Sequence, residues 1–180
     1  VSVDFSPNGR YFAATCMASD LVVDSATHDV LQTLVRREDI AFACTFSPDG
    51  ALLATASFGV ILLWDVETEA FVRDFVADNH EVRGVRFTPD GKHLIGACEH
   101  KTARVWEVAS GTLVHTLSLA GECSSVSLSA SGTLLAIGCC EGVVALFDVA
   151  KGYTPLSTFT AHAGESRYIC RISFSPVAGS

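Results

Sequence analysis

Apolar and polar side chains alternate in short runs along the whole chain. Val3 and Phe5, Cys44 and Phe46, Val85 and Phe87, Val126 and Leu128, and Ile172 and Phe174 each stand two positions apart. That spacing puts both members of a pair on one face of an extended chain, so each pair marks a half-buried strand. The copy around Phe87 reads most fully. Arg83–Thr88 is a first strand, His93–Cys98 a second, Ala103–Val108 a third and Leu113–Leu119 a fourth. Between the first two, Thr88-Pro89-Asp90-Gly91 suits a type I turn, with Pro at its second position and Gly at its fourth. Ala109-Ser110-Gly111 turns the chain before the fourth strand. Helical spacing is nowhere sustained, so the pattern predicts an all-β fold.

The strand pattern is also a repeat. Phe5-Ser6-Pro7-Asn8-Gly9 returns as Phe46-Ser47-Pro48-Asp49-Gly50 and as Phe87-Thr88-Pro89-Asp90-Gly91, at intervals of 41 residues. Leu128-Ser129-Ala130-Ser131-Gly132 is a weaker fourth copy at the same interval. Phe174-Ser175-Pro176 opens a fifth, 46 residues after Leu128, so five extra residues precede it. Cys16, Ser57, Cys98 and Cys139 share one repeat position. Trp64-Asp65 returns as Trp106-Glu107 and Phe147-Asp148, with Val23-Asp24 as a degraded first version.

A period near 41, four strands per unit and a Trp-Asp pair closing the third strand resemble the WD-repeat β-propeller family over essentially the whole chain. The resemblance implies blades of four antiparallel strands at approximately 1–40, 41–81, 82–122 and 123–167, with the first strand of a further blade in 168–180. A chain that starts and finishes on a first strand is expected to be a section of a ring of seven or eight blades, because stacked repeats need neighbours or caps. A homodimer of two four-blade halves is the alternative. The resemblance also implies a buried polar network in each blade, joining a His, a Ser or Thr, an Asp and the Trp. Here that network is incomplete. His80 and Trp106 are present in the third copy, with Gly96 and His100 at the other two positions, and Thr55 and Trp64 are present in the second. His80 is expected to partner Trp106, and apolar stacking between blades is expected to carry the stability.

Composition narrows the function. A net charge of −8 lacks the basic footprint of a general nucleic-acid binder. Apolar runs such as Gly59–Trp64 fall far short of the roughly 20 residues that span a bilayer, so no membrane insertion is expected. Seven cysteines without a C-x-x-C pair read as reduced thiols. With no signal peptide visible, a cytoplasmic or nuclear protein is expected.

The search for chemistry finds no converging set of groups. Six histidines are scattered without an H-E-x-x-H arrangement, and no phosphate-binding glycine loop or nucleophile elbow occurs. No enzyme activity, cofactor or metal is therefore expected. Cys139 reads as a small buried residue and Cys140 as part of the following turn. In the family, loops before first strands and between second and third strands share one face, where a rigid scaffold presents them. That face would carry Arg36, Arg37, Asp78, Asn79, Arg83, Glu99, His100, Lys101, Glu122, Glu141, Glu165 and Arg167. Their mixed signs favour a protein or peptide partner in a multi-subunit complex over a phosphate backbone. The expected function is a non-catalytic interaction scaffold, with a regulatory propeller attached to an enzyme in the same parent chain as the alternative.

Overall fold

The turns set the strand pairing. Gly50 N donates to the Ser47 carbonyl at 2.9 Å and Gly91 N to that of Thr88 at 2.8 Å, the closure of a four-residue turn. Both glycines have a positive φ, +74° and +69°, where a side chain would be strained. Each turn is braced from within. Ser47 Oγ donates to Asp49 Oδ1 at 2.5 Å, and Thr88 Oγ1 to Asp90 Oδ1 at 2.6 Å. The same carboxylates accept the amides of Ala51 and Lys92. The computed structural model of the protein describes residues 2–16, 19–35, 40–161, 169 and 171–175.

Fifteen strands form antiparallel sheets among these residues. The first sheet contains β1 (Val3–Phe5), β2 (Tyr11–Thr15), β3 (Ser19–Asp24) and β4 (Val30–Val35), in that order. The middle sheet runs from β5 (Ala43–Phe46) through β6 (Leu52–Ala56), β7 (Phe58–Asp65), β8 (Phe71–Phe87), β9 (His93–Cys98) and β10 (Thr102–Glu107) to β11 (Leu113–Ser118). The last contains β12 (Cys123–Leu128), β13 (Leu134–Cys139), β14 (Val143–Asp148) and β15 (Thr154–Thr160). No α-helix occurs among the described residues. A 3₁₀ turn spans Cys140–Gly142.

The middle sheet departs from the simple repeat. Its two four-stranded units are joined because β8 serves both, pairing with β7 through Phe71–Val76 and Glu81, and with β9 through Val82–Phe87. The expected division between 81 and 82 therefore falls inside a continuous strand. No Gly or Pro interrupts Phe71–Arg83, so the chain stays extended while it changes partner.

The core lies between neighbouring units, because the second strands are buried on both faces. Alternate residues of β9 divide between two layers: Leu94 and Cys98 pack with Ile61, Phe75 and Trp106, whereas Ile95 and Ala97 pack with Val126, Leu135 and Ile137. Strand β6 does the same, with Leu53 facing Ala13 and Val22 while Ala54 and Ala56 face the next unit. Such two-sided burial needs continuous apolar strands. The first strands lie side by side, β1 against β5, β5 against β8 and β8 against β12. This is the inner wall of a propeller.

Of the further blade's first strand expected in 168–180, only residues 169 and 171–175 lie among the described residues. Residues 171–175 carry no strand pairing. They lie along β12, where Ser125 Oγ accepts Ile172 N at 3.0 Å and Ser127 Oγ accepts Phe174 N at 3.2 Å. In the other copies the first strand pairs with a second strand of its own unit, and no such pairing partner lies among the described residues.

Candidate functional site

Two kinds of connection meet at one end of the sheets: those leading into first strands, and those joining second to third strands. The described members of the expected loop face all lie there. Asn79 and Arg83 belong to β8, as does the backbone of Asp78. Glu99, His100 and Lys101 form the turn between β9 and β10. Glu122 precedes β12, and Glu141 sits in the 3₁₀ turn at a φ of +74°. Arg36, Arg37, Glu165 and Arg167 lie outside the described residues.

Arg83 is the centre of this rim. Its guanidinium donates to Glu81 Oε2 and to Glu99 Oε1, both at 2.9 Å. Partial burial works against its charge, but the two carboxylates outweigh that and raise its pKa. Beside it the rings of His80 and His100 stack with centroids 4.5 Å apart and planes 7° from parallel. His80 was expected to meet Trp106, but the structure gives it a different neighbour, the residue at the turn position of the same copy. Trp106 is buried against Phe75. A methyl group added at Gly96 would stand 3.0 Å from Cζ3 of Trp106, so the indole occupies the space of the missing hydroxyl side chain. In the second copy the expected pair forms, with Trp64 Nε1 donating to Thr55 Oγ1 at 3.2 Å.

Two rim residues escaped the sequence reading. Glu81 pairs across to Phe58 in the ladder and completes the grip on Arg83. Phe58, at the start of β7, is 51% exposed. The available signal was the turn after the second strand of the second copy, one residue shorter than in the third (Thr55 to Trp64 against Gly96 to Trp106), which brings an aromatic residue to the end of the sheet. Exposed aromatics ringed by charge are favoured contacts at protein interfaces.

The cysteines nearby are buried. Cys98 and Cys139 are buried, as their shared repeat position suggested. Cys140, placed by sequence in a turn, is also buried, and burial together with the Glu122 charge pushes its thiol up. Cys123 faces Cys139 across β12 and β13; hydrogen bonding to Cys139 and burial raise its pKa. Cys44 is pushed up to about 12 by burial. Thiols held protonated are poor nucleophiles and poor metal ligands. Among the described residues no group of three or more His, Cys, Asp or Glu side chains is placed to hold a metal ion. No helix among them is long and apolar enough to cross a membrane.

Beside the rim, the first strands enclose a cavity of about 360 Å³ lined by Arg83, Gly84, Arg86, Ser124, Ser125 and Arg171, among others. A larger one, about 590 Å³, opens at the opposite end of the sheets between the first two units, against Tyr11, Gln32 and Glu67.

Comparisons with known proteins agree with this geometry. The family model for the WD domain, G-beta repeat, matches residues 30–65 and 71–107. Each match begins on the fourth strand of one unit and ends at the Trp of the next, so the family's repeat bridges two units, as β8 does. The COMPASS component SWD3 of Saccharomyces cerevisiae is 28% identical over 161 residues, covering 86% of this chain and 50% of that protein. U3 small nucleolar RNA-associated protein 15 of the same yeast is 26% identical over 163 residues, covering 86% and 32%. Human WD repeat-containing protein 36 is 34% identical over 84 residues, covering 47% and 9%. The chain thus spans half or less of the length of these relatives. Among solved structures, hydrazine synthase of Kuenenia stuttgartiensis matches with a TM-score of 0.81 at 20% identity, over 89% of this chain and 49% of that one, a likeness of fold alone. With its repeat period, its four-stranded units and these matches, the chain belongs to the WD-repeat family and has a β-propeller fold.

Proposed function

We propose that the chain is a non-catalytic platform for assembling other proteins, and that its partner docks on the rim around Arg83. The observation that carries this reading is the rim itself. An ion-paired arginine, a stacked histidine pair and the exposed Phe58 stand together at the end of a rigid sheet. Their geometry is fixed before binding, which lowers the entropic cost of association. The net charge of −8 favours proteins over nucleic acid as partners. The relatives add support: one is named as a component of COMPASS and another as associated with the U3 small nucleolar RNA. Six described cysteines that form no disulfide fit a cytoplasmic or nuclear setting. Among the described residues the buried thiols and scattered histidines form no catalytic constellation, which favours a scaffold over an enzyme.

Proximity crosslinking of the full-length protein tests the reading. A photoreactive residue at position 58 or 100 is expected to capture defined partner proteins, and one at position 67 or 151 to capture none of them. Capture spread evenly over the four positions contradicts it.

A further inference from the structure

The cavity beside the rim has a composition unlike the rim. Among the described residues its lining contains three arginines, Arg83, Arg86 and Arg171, and no carboxylate. Arg83 is neutralised by Glu81 and Glu99. Arg86 is half-buried, and its Nη1 donates to the carbonyl of Val85 at 3.2 Å. Neither Arg86 nor Arg171 meets a carboxylate at ion-pair distance among the described residues.

The placement of Arg171 is built rather than incidental. Ser124 Oγ donates to the Ile169 carbonyl, and Ser125 Oγ accepts the amide of Ile172. Backbone on both sides of Arg171 is thereby tied to β12. Gly84 brings β8 close to the same strand, since a methyl group there would stand 3.2 Å from Val126 N. The two guanidiniums thus line one polar cavity beside β12, Arg86 from β8 and Arg171 from the segment that lies along β12.

We propose that this cavity binds the side-chain carboxylate of an acidic residue in a partner peptide. Guanidinium presents planar, paired donors that fit a carboxylate, and a half-buried setting strengthens such charge-assisted bonds. The cavity holds a side chain rather than a domain. Glu81 and Glu99, which hold Arg83 at the edge of the cavity, repel a long acidic run, so the ligand is a segment with an acidic residue at its tip. This inference rests on the reading that a partner docks at this end, and it names what that partner inserts.

The probe is a fluorescent peptide with a single central glutamate flanked by glycine and serine, titrated into the full chain and followed by anisotropy. Saturable binding is expected, weakened roughly tenfold or more by Arg86→Ala and by Arg171→Ala and unchanged by Lys151→Ala. The matching peptide with glutamine is expected not to bind. Arg171 is exposed, so its replacement leaves the fold intact, and circular dichroism checks the Arg86 variant. No saturable binding, affinity in either arginine variant unchanged from that of the unaltered chain, or equal affinity for the glutamine peptide overturns the proposal. Competition by inorganic phosphate at the peptide's own concentration overturns it in favour of a general anion site. Peptide binding retained without partner crosslinking at positions 58 and 100 counts against the docking reading alone. Crosslinking retained without peptide binding counts against this inference alone.

Discussion

Thr55 and Trp64 show how much a single pair can be read in advance. Both stand at positions where the repeat expects a hydroxyl and an indole, and the hydrogen bond forms at 3.2 Å. Thr55 is fully buried, so losing its oxygen strands the indole N–H in a poorly hydrated place. Thr55→Val is expected to cost about 1–2 kcal/mol, read as a lower urea midpoint with unchanged slope. An unchanged midpoint would remove this bond from the account. His80 was not legible in the same way. Its neighbour depends on how the turn at Glu99–Lys101 folds back, with Lys101 N closing on the Glu99 carbonyl at 2.8 Å and Lys101 at a φ of +53°. Sequence spacing placed His80 and His100 in one network without saying which ring meets which. Phe58 was missed for a related reason: an alternating pattern marks it as a strand residue, and only the end of the sheet exposes it.

Turns and strands are the most legible elements, because their signals are local. The Ser/Thr-Pro-Asp-Gly turns form as read, and they make a testable electrostatic contribution. The hydroxyl of Ser47 holds the Asp49 carboxyl below its ordinary value of 3.8, and that of Thr88 does the same for Asp90. Backbone amides of Thr27 and Thr68 lower Asp24 and Asp65 in the turns between third and fourth strands. A carboxyl with a depressed folded pKa stabilises the fold above its unfolded pKa and loses that contribution as pH falls through the folded value. Stability to urea is therefore expected to be level above about pH 5 and to decline below about pH 4. Asp49→Asn together with Asp90→Asn is expected to flatten the decline, and a decline of unchanged steepness would contradict the assignment. Strand β8 was less legible. Its length comes from the absence of a breaker over Phe71–Arg83, and an absence is a weak local signal. Only the switch of partner from β7 to β9 shows that one strand serves two units.

At the scale of the molecule, the layers between units hold the fold and leave its ends free to vary. Leu94 and Ile95 are adjacent in sequence yet belong to different layers, so β9 couples two neighbouring units, as β6 does. This arrangement was foreseeable from period-two alternation and an incomplete polar network. The rim was only half foreseeable. Sequence placed the charged residues on one end, but the pairing of Arg83 with Glu81 and Glu99, and the arginine-lined cavity beside it, depend on first strands packed side by side. The central claim is that this end, rather than the opposite one, meets the partner. Quantitative co-purification of the full-length protein tests it most directly, comparing Phe58→Ser with Lys101→Glu against Glu67→Lys with Lys151→Glu. All four residues are exposed, and the Lys151–Asp148 pair lost in the second variant is a surface pair of little weight. The account predicts that the first variant loses its stoichiometric partners by about tenfold or more while the second keeps them. Equal retention by both variants, or loss confined to the second, would contradict it.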